Sequence, residues 1–580
     1  MTRIRWMTGL ILLLTFSGAL LIVLPPRAVW HTTLLLTLIH LLLSVLLVVM
    51  AGPILYRHIR RNIKRQGNNI ANWWGVVLLV LVIATGCWLT IEGQRGRLAL
   101  AHTIIGLCFF AVFFAHSGLT HIKLMMRGML RLLVISAFVV LIYALITGTR
   151  STHSTASPEA KLFSPASMQI LGELPAFNED ILGAKRCAEC HKQIVDQWKE
   201  SMHAMADTEL FYARVVGEFR KEYGFEASNW CAGCHSPLRL GRGELNEKVA
   251  IVAQPNVDCV ICHSIRSVRE PLGNNNYDLS IARPSGYELA KMPKLSDQML
   301  LLQPDAHRAL WNGPFMRSPE FCGGCHRQVL PDFLSEGHNI VIQDTYQEWA
   351  ESKYNSSDKT LRRTCQDCHM PVKPGLGENL GKHQASHLFL GVSIDIARIS
   401  GAHTSYAEGK RFLENAATLT VTSPDVTNEI AEVSVKVTNS GAGHDMPTGV
   451  SDLRQMWIEL TATNEANEVI YESGKLDANG YLDPSAAVFG TTFGDGKGNP
   501  VHFHHIARVR EVISDTAIPA GETREIKYNV PILNSKKLLV EVKLMYRAVP
   551  QGFINHYMTP DLRSEIVVMS KASTTIKVMP

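Results

Sequence analysis

The chain repeats one motif five times: two cysteines three positions apart, followed at once by a histidine. Thiols at this spacing can add to the two vinyl groups of one haem, and the adjacent histidine can bind its iron. Disulfides or zinc sites would not require a histidine after every pair, and chance does not produce five matches. We therefore predict five covalently attached c-type haems. The motif residues are Cys187, Cys190 and His191; Cys231, Cys234 and His235; Cys259, Cys262 and His263; Cys322, Cys325 and His326; and Cys365, Cys368 and His369.

Composition divides the 580 residues into regions, because so long a chain exceeds one hydrophobic core. Residues 1–149 are mainly apolar and predict a transmembrane bundle of four or five helices. Basic loops place the following residues outside the cytoplasm. The first segment could instead be a signal peptide, with the same sidedness. The apolar segments lie near 7–25, 31–55, 74–92, 98–117 and 131–149, and the basic loops at 56–66 and 121–131.

Three further regions follow the apolar part. Residues 150–183 are rich in Ser, Thr, Ala and Pro and predict a linker. Residues 184–412 hold the five motifs and predict a mostly helical or irregular domain packed around haem. Residues 413–580 alternate apolar and polar side chains, which predicts an antiparallel β-sandwich. The expected fold is therefore multidomain.

Histidines within the apolar segments predict a second kind of haem site, because ionisable residues in membrane spans are usually functional. His40 and His58 lie about five helical turns apart and His102 and His116 about four, so each pair shares a helix face. Two such helices can clamp two non-covalent b-type haems, although one or none remain alternatives. We expect His40 and His102 at the outer haem, and His116 with His58 or His121 at the inner one.

Several sequences around the motifs carry a resemblance. They are Trp198-Lys-Glu-Ser-Met-His203-Ala204, Cys365-Gln-Asp-Cys-His-Met-Pro371, Ser386-His387-Leu-Phe and Gly443-His444-Asp-Met-Pro447. The stretch 187–450 resembles the multi-haem cytochrome c family related to cytochrome c554. The plan of the whole chain is similar to fused b-type and multi-haem c-type inner-membrane cytochromes of metal-respiring bacteria.

The resemblance implies distal iron ligands. His203 is the first candidate, and His387 and His444 follow. His307, His338 and His403 are further candidates that lie between or after the motifs.

Electron transfer is the function that these features predict. The expected route leads from the quinone pool through b- and c-type haems to a periplasmic or extracellular acceptor. Partners would be membrane lipid, quinone or quinol, and periplasmic redox proteins, at a bacterial inner membrane crossed several times. The net charge of +5 is too small and too dispersed to indicate nucleic-acid binding. Two alternatives stay open: an enzyme acting on a small nitrogen or sulfur compound at an open haem, and an electron carrier whose helices only anchor it.

Overall fold

The structure is a computed structural model that describes most of the chain. The described residues are 9–18, 30–64, 71–92, 96–118, 161–171, 183–245, 257–280, 307–308, 311–374, 383–423, 426–427, 429–559 and 561–577. Among the first helices some positions are described by their backbone alone, including His58 and His116. The chain forms two compact units, residues 1–159 with 282–313 and residues 160–281 with 314–580.

The first unit consists of apolar helices in its described part. They are α1 (Gly9–Gly18), α2 (Trp30–Lys64), α3 (Ala71–Glu92) and α4 (Gly96–Gly118). These helices coincide with four of the five predicted apolar segments, and 131–149 lies outside the described residues. Within α2, the stretch Leu36–Arg61 is long and apolar enough to cross a membrane, whereas the apolar parts described in the other three are shorter. Spanning by the other helices therefore stays a prediction.

Packing joins these four helices through one buried cluster. Leu10 of α1, Leu47 of α2, Leu79 of α3 and Phe109 of α4 belong to it. Large apolar side chains also cover the outside of the helices, and Leu42 is 72% exposed. A helix that is apolar all round requires an apolar environment.

The second unit begins with strands where a linker was predicted. A hairpin of β1 (Lys161–Phe163) and β2 (Ala166–Ile170) joins β4 (Tyr277–Leu279) and β3 (Ile265–Val268) in one sheet. Alternate residues of β2 are buried, with Met168 and Ile170 almost fully so. The linker prediction is therefore wrong for these residues. The region as a whole is rich in Ser and Pro, but β2 has apolar residues at alternate positions, which form one buried face of a short strand.

Short elements make up the rest of the motif-bearing region. The helices are α5 (Ala184–Lys199), α6 (Leu210–Tyr223), α7 (Asn229–His235), α8 (Pro237–Arg242), α9 (Cys259–Ser264), α10 (Pro319–Gly323), α11 (Asp332–Ser335), α12 (Thr345–Glu351), α13 (Cys365–His369), α14 (Ile394–Ile399) and α15 (His403–Glu414). Two-stranded ribbons join β5 (Gln328–Val329) to β6 (Val341–Gln343) and β7 (Val372–Pro374) to β8 (His383–Ala385).

The C-terminal region contains two antiparallel sheets, as the alternating sequence predicts. The strands are β9 (Ala417–Thr422), β10 (Val426–Thr427), β11 (Ile430–Asn439), β12 (Gln455–Asn464), β13 (Val469–Ser473), β14 (Val488–Phe489), β15 (Thr491–Gly494), β16 (Glu511–Asp515), β17 (Thr523–Pro531), β18 (Lys537–Arg547) and β19 (Val567–Lys577). One sheet has the order β10-β11-β17 with β9 on β11, and the other β13-β12-β18-β19 with β14 on β12. Val433 and Val435 of the first share a core with Leu460 and Val540 of the second.

The predicted boundary at residue 412 marks a change of secondary structure within one compact unit. Helix α16 (Gln551–Tyr557) places Phe553 against Phe211 of α6, with ring centres 5.5 Å apart. Ile506, between β15 and β16, belongs to the same buried cluster as Trp230 of α7. The C-terminal region therefore packs directly on the helices that carry haem motifs.

Candidate haem-binding sites

All five motifs lie on or next to short helices. The first lies in α5, the second ends α7, the third opens α9, the fourth begins in α10 and the fifth forms α13. Because cysteines three positions apart lie nearly one helical turn apart, both thiols of a motif lie on the same side. None of the ten motif cysteines, all of which are described, forms a disulfide.

Capping side chains fix where two of these helices begin. The buried carboxylate of Asp258 accepts the backbone N–H of Val260 at 2.8 Å, which caps α9. Its other oxygen accepts the N–H of Ala184, the first residue of α5, at 3.1 Å. One side chain thereby ties the first motif to the third. Thr364 and Asp367 form a capping box at α13.

Thiols of different motifs contact one another. Hydrogen bonds join Cys187 to Cys259, Cys234 to Cys325, and Cys322 to Cys365. The first motif therefore lies beside the third, and the fourth lies between the second and the fifth. Haems attached to neighbouring motifs would therefore lie close to one another, as electron transfer from haem to haem requires.

Three motif histidines each face a second histidine ring. The ring centres are 6.4 Å apart for His263 and His387, 6.3 Å for His369 and His444, and 6.1 Å for His326 and His203. Because metal–imidazole bonds are about 2 Å long, two rings on opposite sides of one iron have centres roughly 6 Å apart. The structure therefore brings the three expected distal candidates to the spacing of bis-histidine iron sites. It pairs His387 with the third motif, His444 with the fifth and His203 with the fourth.

Ring orientation separates these pairs into two kinds. The imidazole planes of His263 and His387 differ by 8° and those of His369 and His444 by 16°. The planes of His326 and His203 differ by 82°. Two sites are thus near parallel and one is near perpendicular.

Backbone carbonyls determine which ring nitrogen is available at three of these six histidines. Nδ1 lies 2.5 Å from the Leu390 carbonyl oxygen in His369, 3.0 Å from that of Ala385 in His387 and 2.8 Å from that of Asp445 in His444. A carbonyl oxygen can only accept, so Nδ1 carries the proton and Nε2 keeps its lone pair. This is the tautomer that binds a metal through Nε2.

Burial keeps four of the six paired histidine rings uncharged. It lowers the pKa of His203 to about 3, and the pKa values of His326, His387 and His444 to about 4. A neutral imidazole has a free lone pair, whereas an imidazolium has none. Nδ1 of His203 is buried without a hydrogen-bond partner.

A large cavity connects several motifs. Its volume is about 1360 Å³, and the second, fourth and fifth motifs contribute cysteines and histidines to its wall. That volume exceeds the 300–1,000 Å³ typical of a single small-molecule pocket. Free thiols, neutral histidine pairs and a cavity of this size fit covalently attached haem, which supplies one-electron redox chemistry when bound. The protein's residues attach it, ligate it and exclude water.

The second motif has different surroundings. Nδ1 of His235 lies 2.6 Å from the Ala206 carbonyl oxygen, which again leaves Nε2 available. The ring of Tyr212 stacks on His235 with centres 4.0 Å and planes 5° apart. Within the described part of the chain, no histidine ring faces His235 at the spacing of the three pairs.

A fourth histidine pair lies in the first unit. His40 of α2 and His102 of α4 have ring centres 6.5 Å apart, with their planes at 79°. The sequence predicted that these two residues act together. His58 and His116 are described by their backbone alone, and His121 lies outside the described residues. The second predicted pair therefore stays a prediction.

Hydroxyl groups orient the His40 and His102 rings. Ser17 Oγ donates to the Leu14 carbonyl oxygen at 3.0 Å and lies 2.8 Å from His40 Nδ1. Thr85 Oγ1 donates to carbonyl oxygens of its own helix and lies 2.9 Å from His102 Nδ1. Because each hydroxyl has only one hydrogen to donate, it accepts from Nδ1–H of the histidine. Both Nε2 lone pairs are left available.

The remaining candidates from the sequence have weaker structural support. His338 and His403 are exposed. His307 lies in the short described segment 307–308 of the first unit.

Sequence reasoning missed the residues that orient the rings. Ser17 and Thr85 each precede a glycine within an apolar segment, and that repeated pair could have drawn attention to them. It also did not predict the contact between His504 and Asp452, in which His504 Nδ1 lies 3.0 and 3.1 Å from the two carboxylate oxygens. These two residues are far apart in the chain, so their contact has no local signal.

Comparison with known proteins supports the identification of c-type haem motifs over a limited region of the chain. Residues 186–264 match the family model described as cytochrome c554 and c-prime. A penta-haem cytochrome c552 from Thermochromatium tepidum is similar in structure, with a TM-score of 0.49 and 22% sequence identity over 68% of this chain and 99% of that one. No curated protein matches the chain. The matched segment contains the first three motifs, so this part of the chain is similar to that family of c-type cytochromes.

Proposed function

We propose that the protein is a membrane-bound cytochrome that carries electrons between the quinone pool and a periplasmic or extracellular acceptor. Five c-type haems on the second unit receive electrons from b-type haem held by the helices of the first. The His40–His102 pair carries the membrane part of this proposal. A helical anchor alone does not require two facing histidines with oriented Nε2 atoms.

Three features support a b-type haem between these rings. Their spacing of 6.5 Å is close to that of the three c-type pairs. Each Nδ1–H has an acceptor on a neighbouring helix, Ser17 on α1 or Thr85 on α3. Glycines flank both rings: a Cβ added at Gly18 would lie 3.4 Å from His40 Cε1, and one at Gly86 would lie 3.2 Å from His102 Cε1. The same hydroxyl–glycine arrangement thus serves both histidines.

The exposed apolar surface of the helices supports a membrane location. Leu42, Val45 and Val49 of α2 are 72%, 64% and 65% exposed. Burying such surface in lipid is favourable by about 25 cal/mol for each Å². Hydrocarbon blocks charge movement, so electrons that cross it need buried redox centres, and haem between α2 and α4 would provide one.

The decisive experiment compares quinol oxidation in the wild type and in His102→Ala. In the wild type, a reduced quinol analogue should reduce the c-type haems, observed by their absorbance. His102→Ala should keep five c-type haems, lose extractable haem and fail to reduce the c-type haems. Reduction at the wild-type rate would leave the helices as an anchor only. His338→Ala, at an exposed histidine of the second unit, is the matched control.

A further inference from the structure

Charge is divided unevenly along the chain. Residues 1–150 contain 14 lysine and arginine residues and a single acidic residue, Glu92. The whole chain has 57 basic residues against 52 acidic ones, so residues 151–580 have 43 against 51 and a net charge of −8. The apolar helices are thus combined with a large excess of positive charge, which attracts anionic partners.

Three arginines of this excess lie together at the C-terminal end of α2. Arg57, Arg60 and Arg61 are all exposed, and residues three and four positions apart share one face of a helix. Helix α2 contains no acidic residue, and Glu92 ends α3, a full helix length beyond the connection from α2. The arginine face therefore has no carboxylate of its own helix to neutralise it.

The arginines continue the exposed apolar face of α2, which runs through Pro53 as one helix. Leu42 and Val49 are 72% and 65% exposed, and Tyr56 is 64% exposed. At about 100° for each residue, Arg60 lies five whole turns after Leu42 and within about 20° of the direction of Val49. Leu42 and Arg60 are about 27 Å apart along the axis, within the roughly 30 Å depth of a hydrocarbon layer. One face of α2 is therefore apolar inside that layer and basic where the layer ends.

A phospholipid has the chemistry that this face would recognise. Acyl chains can pack on the apolar part, tyrosine favours the level of the headgroups, and guanidinium groups bind phosphate through paired N–H donors. A zwitterionic headgroup would also bring a cation close to the arginines, which repels them. An anionic headgroup brings no such cation, and free phosphate would leave the apolar part of the face unused.

We propose that Arg57, Arg60 and Arg61, together with the exposed face of α2, bind an anionic phospholipid. The headgroup lies against the arginines and the acyl chains lie along the apolar part of the helix. This inference rests on the proposed membrane location and adds a lipid-binding site to electron transfer. A headgroup bound at this end anchors α2 at the surface of the lipid layer.

Native mass spectrometry measures the preference for anionic lipid. The full-length, haem-loaded protein in detergent is titrated separately with phosphatidylglycerol and with phosphatidylcholine that has the same acyl chains. The wild type should bind phosphatidylglycerol more tightly. A basic residue at a membrane surface strengthens the attraction by about fivefold, so Arg57→Gln combined with Arg60→Gln should lower the preference by about 5- to 25-fold. Glutamine is a good helix former, so α2 should stay intact.

The matched control is Arg95→Gln combined with Arg97→Gln. Arg95 precedes α4 and Arg97 is its second residue, so this variant removes the same charge without changing α2. It should keep the wild-type preference for phosphatidylglycerol.

Three results would overturn the proposal: equal affinity of the wild type for the two lipids, an unchanged preference in the α2 variant, or an equal loss of preference in the control. The last result would show that overall charge selects the lipid. Membrane insertion is measured separately, as the fraction of protein that stays with phosphatidylcholine vesicles after washing with alkaline carbonate. Protein that washes off would count against the proposed membrane location, whereas inserted protein without a lipid preference would count against the lipid site alone.

Discussion

Replacing Thr85 by valine tests whether α2 and α4 hold a haem. The two side chains have nearly the same shape, so the change removes a hydroxyl without opening a cavity. Thr85 Oγ1 lies 2.9 Å from His102 Nδ1 and accepts the hydrogen bond that Nδ1–H donates. Without that acceptor, the His102 ring loses its side-chain partner and keeps only the Val82 carbonyl oxygen, so it can rotate or change tautomer.

The size of the effect follows from the lost hydrogen bond. An unsatisfied buried donor costs about 1–3 kcal/mol. A metal-bound histidine usually hydrogen-bonds through its other ring nitrogen. Loss of the group that accepts this bond typically lowers metal affinity by about 10–100-fold, which is about 1.4–2.7 kcal/mol. The two ranges agree, so we expect Thr85→Val to release non-covalent haem about 10–100 times faster than the wild type does.

Transfer of haem to excess apomyoglobin measures this release. Covalent c-type haem cannot transfer, so the assay reports only non-covalent haem. Thr15→Val is the matched control, because Thr15 Oγ1 donates to the Ile11 carbonyl oxygen within α1 and has no bond to a histidine. Equal release rates in the two variants would refute the role of Thr85, and absence of transferable haem in the wild type would refute the b-type site.

Three further predictions concern the c-type haems. Mass spectrometry of the denatured chain should show five retained haems, and Cys365→Ser combined with Cys368→Ser should reduce the number to four because both thioether attachments of that haem are lost. His203→Met should raise the reduction potential of the fourth-motif haem in a redox titration, since methionine with histidine favours the reduced state; an unmoved titration curve would contradict that pairing. Electron paramagnetic resonance should distinguish near-parallel from near-perpendicular bis-histidine sites. We expect His203→Ala to remove a signal of the perpendicular kind and to leave the signals of the parallel kind. Loss of a parallel signal instead would contradict the assignment of His203.

The haem motifs and the sandwich could be predicted because their signals are local. A cysteine pair with its histidine occupies five positions, and alternation along β11 or β18 depends only on neighbours in one strand. Which distal histidine serves which motif could not be predicted. His203 follows the first motif in the chain but pairs with His326 of the fourth, because helix packing determines the partner.

The same limit applies to the short strands at 161–170. Their pairing partner β4 lies more than 100 residues later in the chain, and nothing in the local composition indicates it. Conversely, His40 and His102 could be predicted as partners, because helical periodicity restricts which histidines share a face.

Fusion of a β-sandwich to the haem region has a structural reason. His444 lies between β11 and β12, and His504 lies between β15 and β16. Asn439, at the end of β11, donates to the His444 carbonyl oxygen at 2.8 Å and to the Ile518 carbonyl oxygen at 2.9 Å. The loop that presents His444 is therefore fixed to the sheet, which is itself held by a continuous core.

Short helices cannot provide the same rigidity. Each motif helix already uses its cysteines and histidine for one face of a haem, and four of the five motif helices, with five to seven residues each, have few other side chains to hold a second ligand. The core that the two sheets share consists of apolar side chains, so the loop between β11 and β12 can present His444 in a fixed position. The helices thus carry the attachment cysteines, and the sheets present one of the three distal candidates, His444, whereas His203 and His387 come from the motif-bearing region.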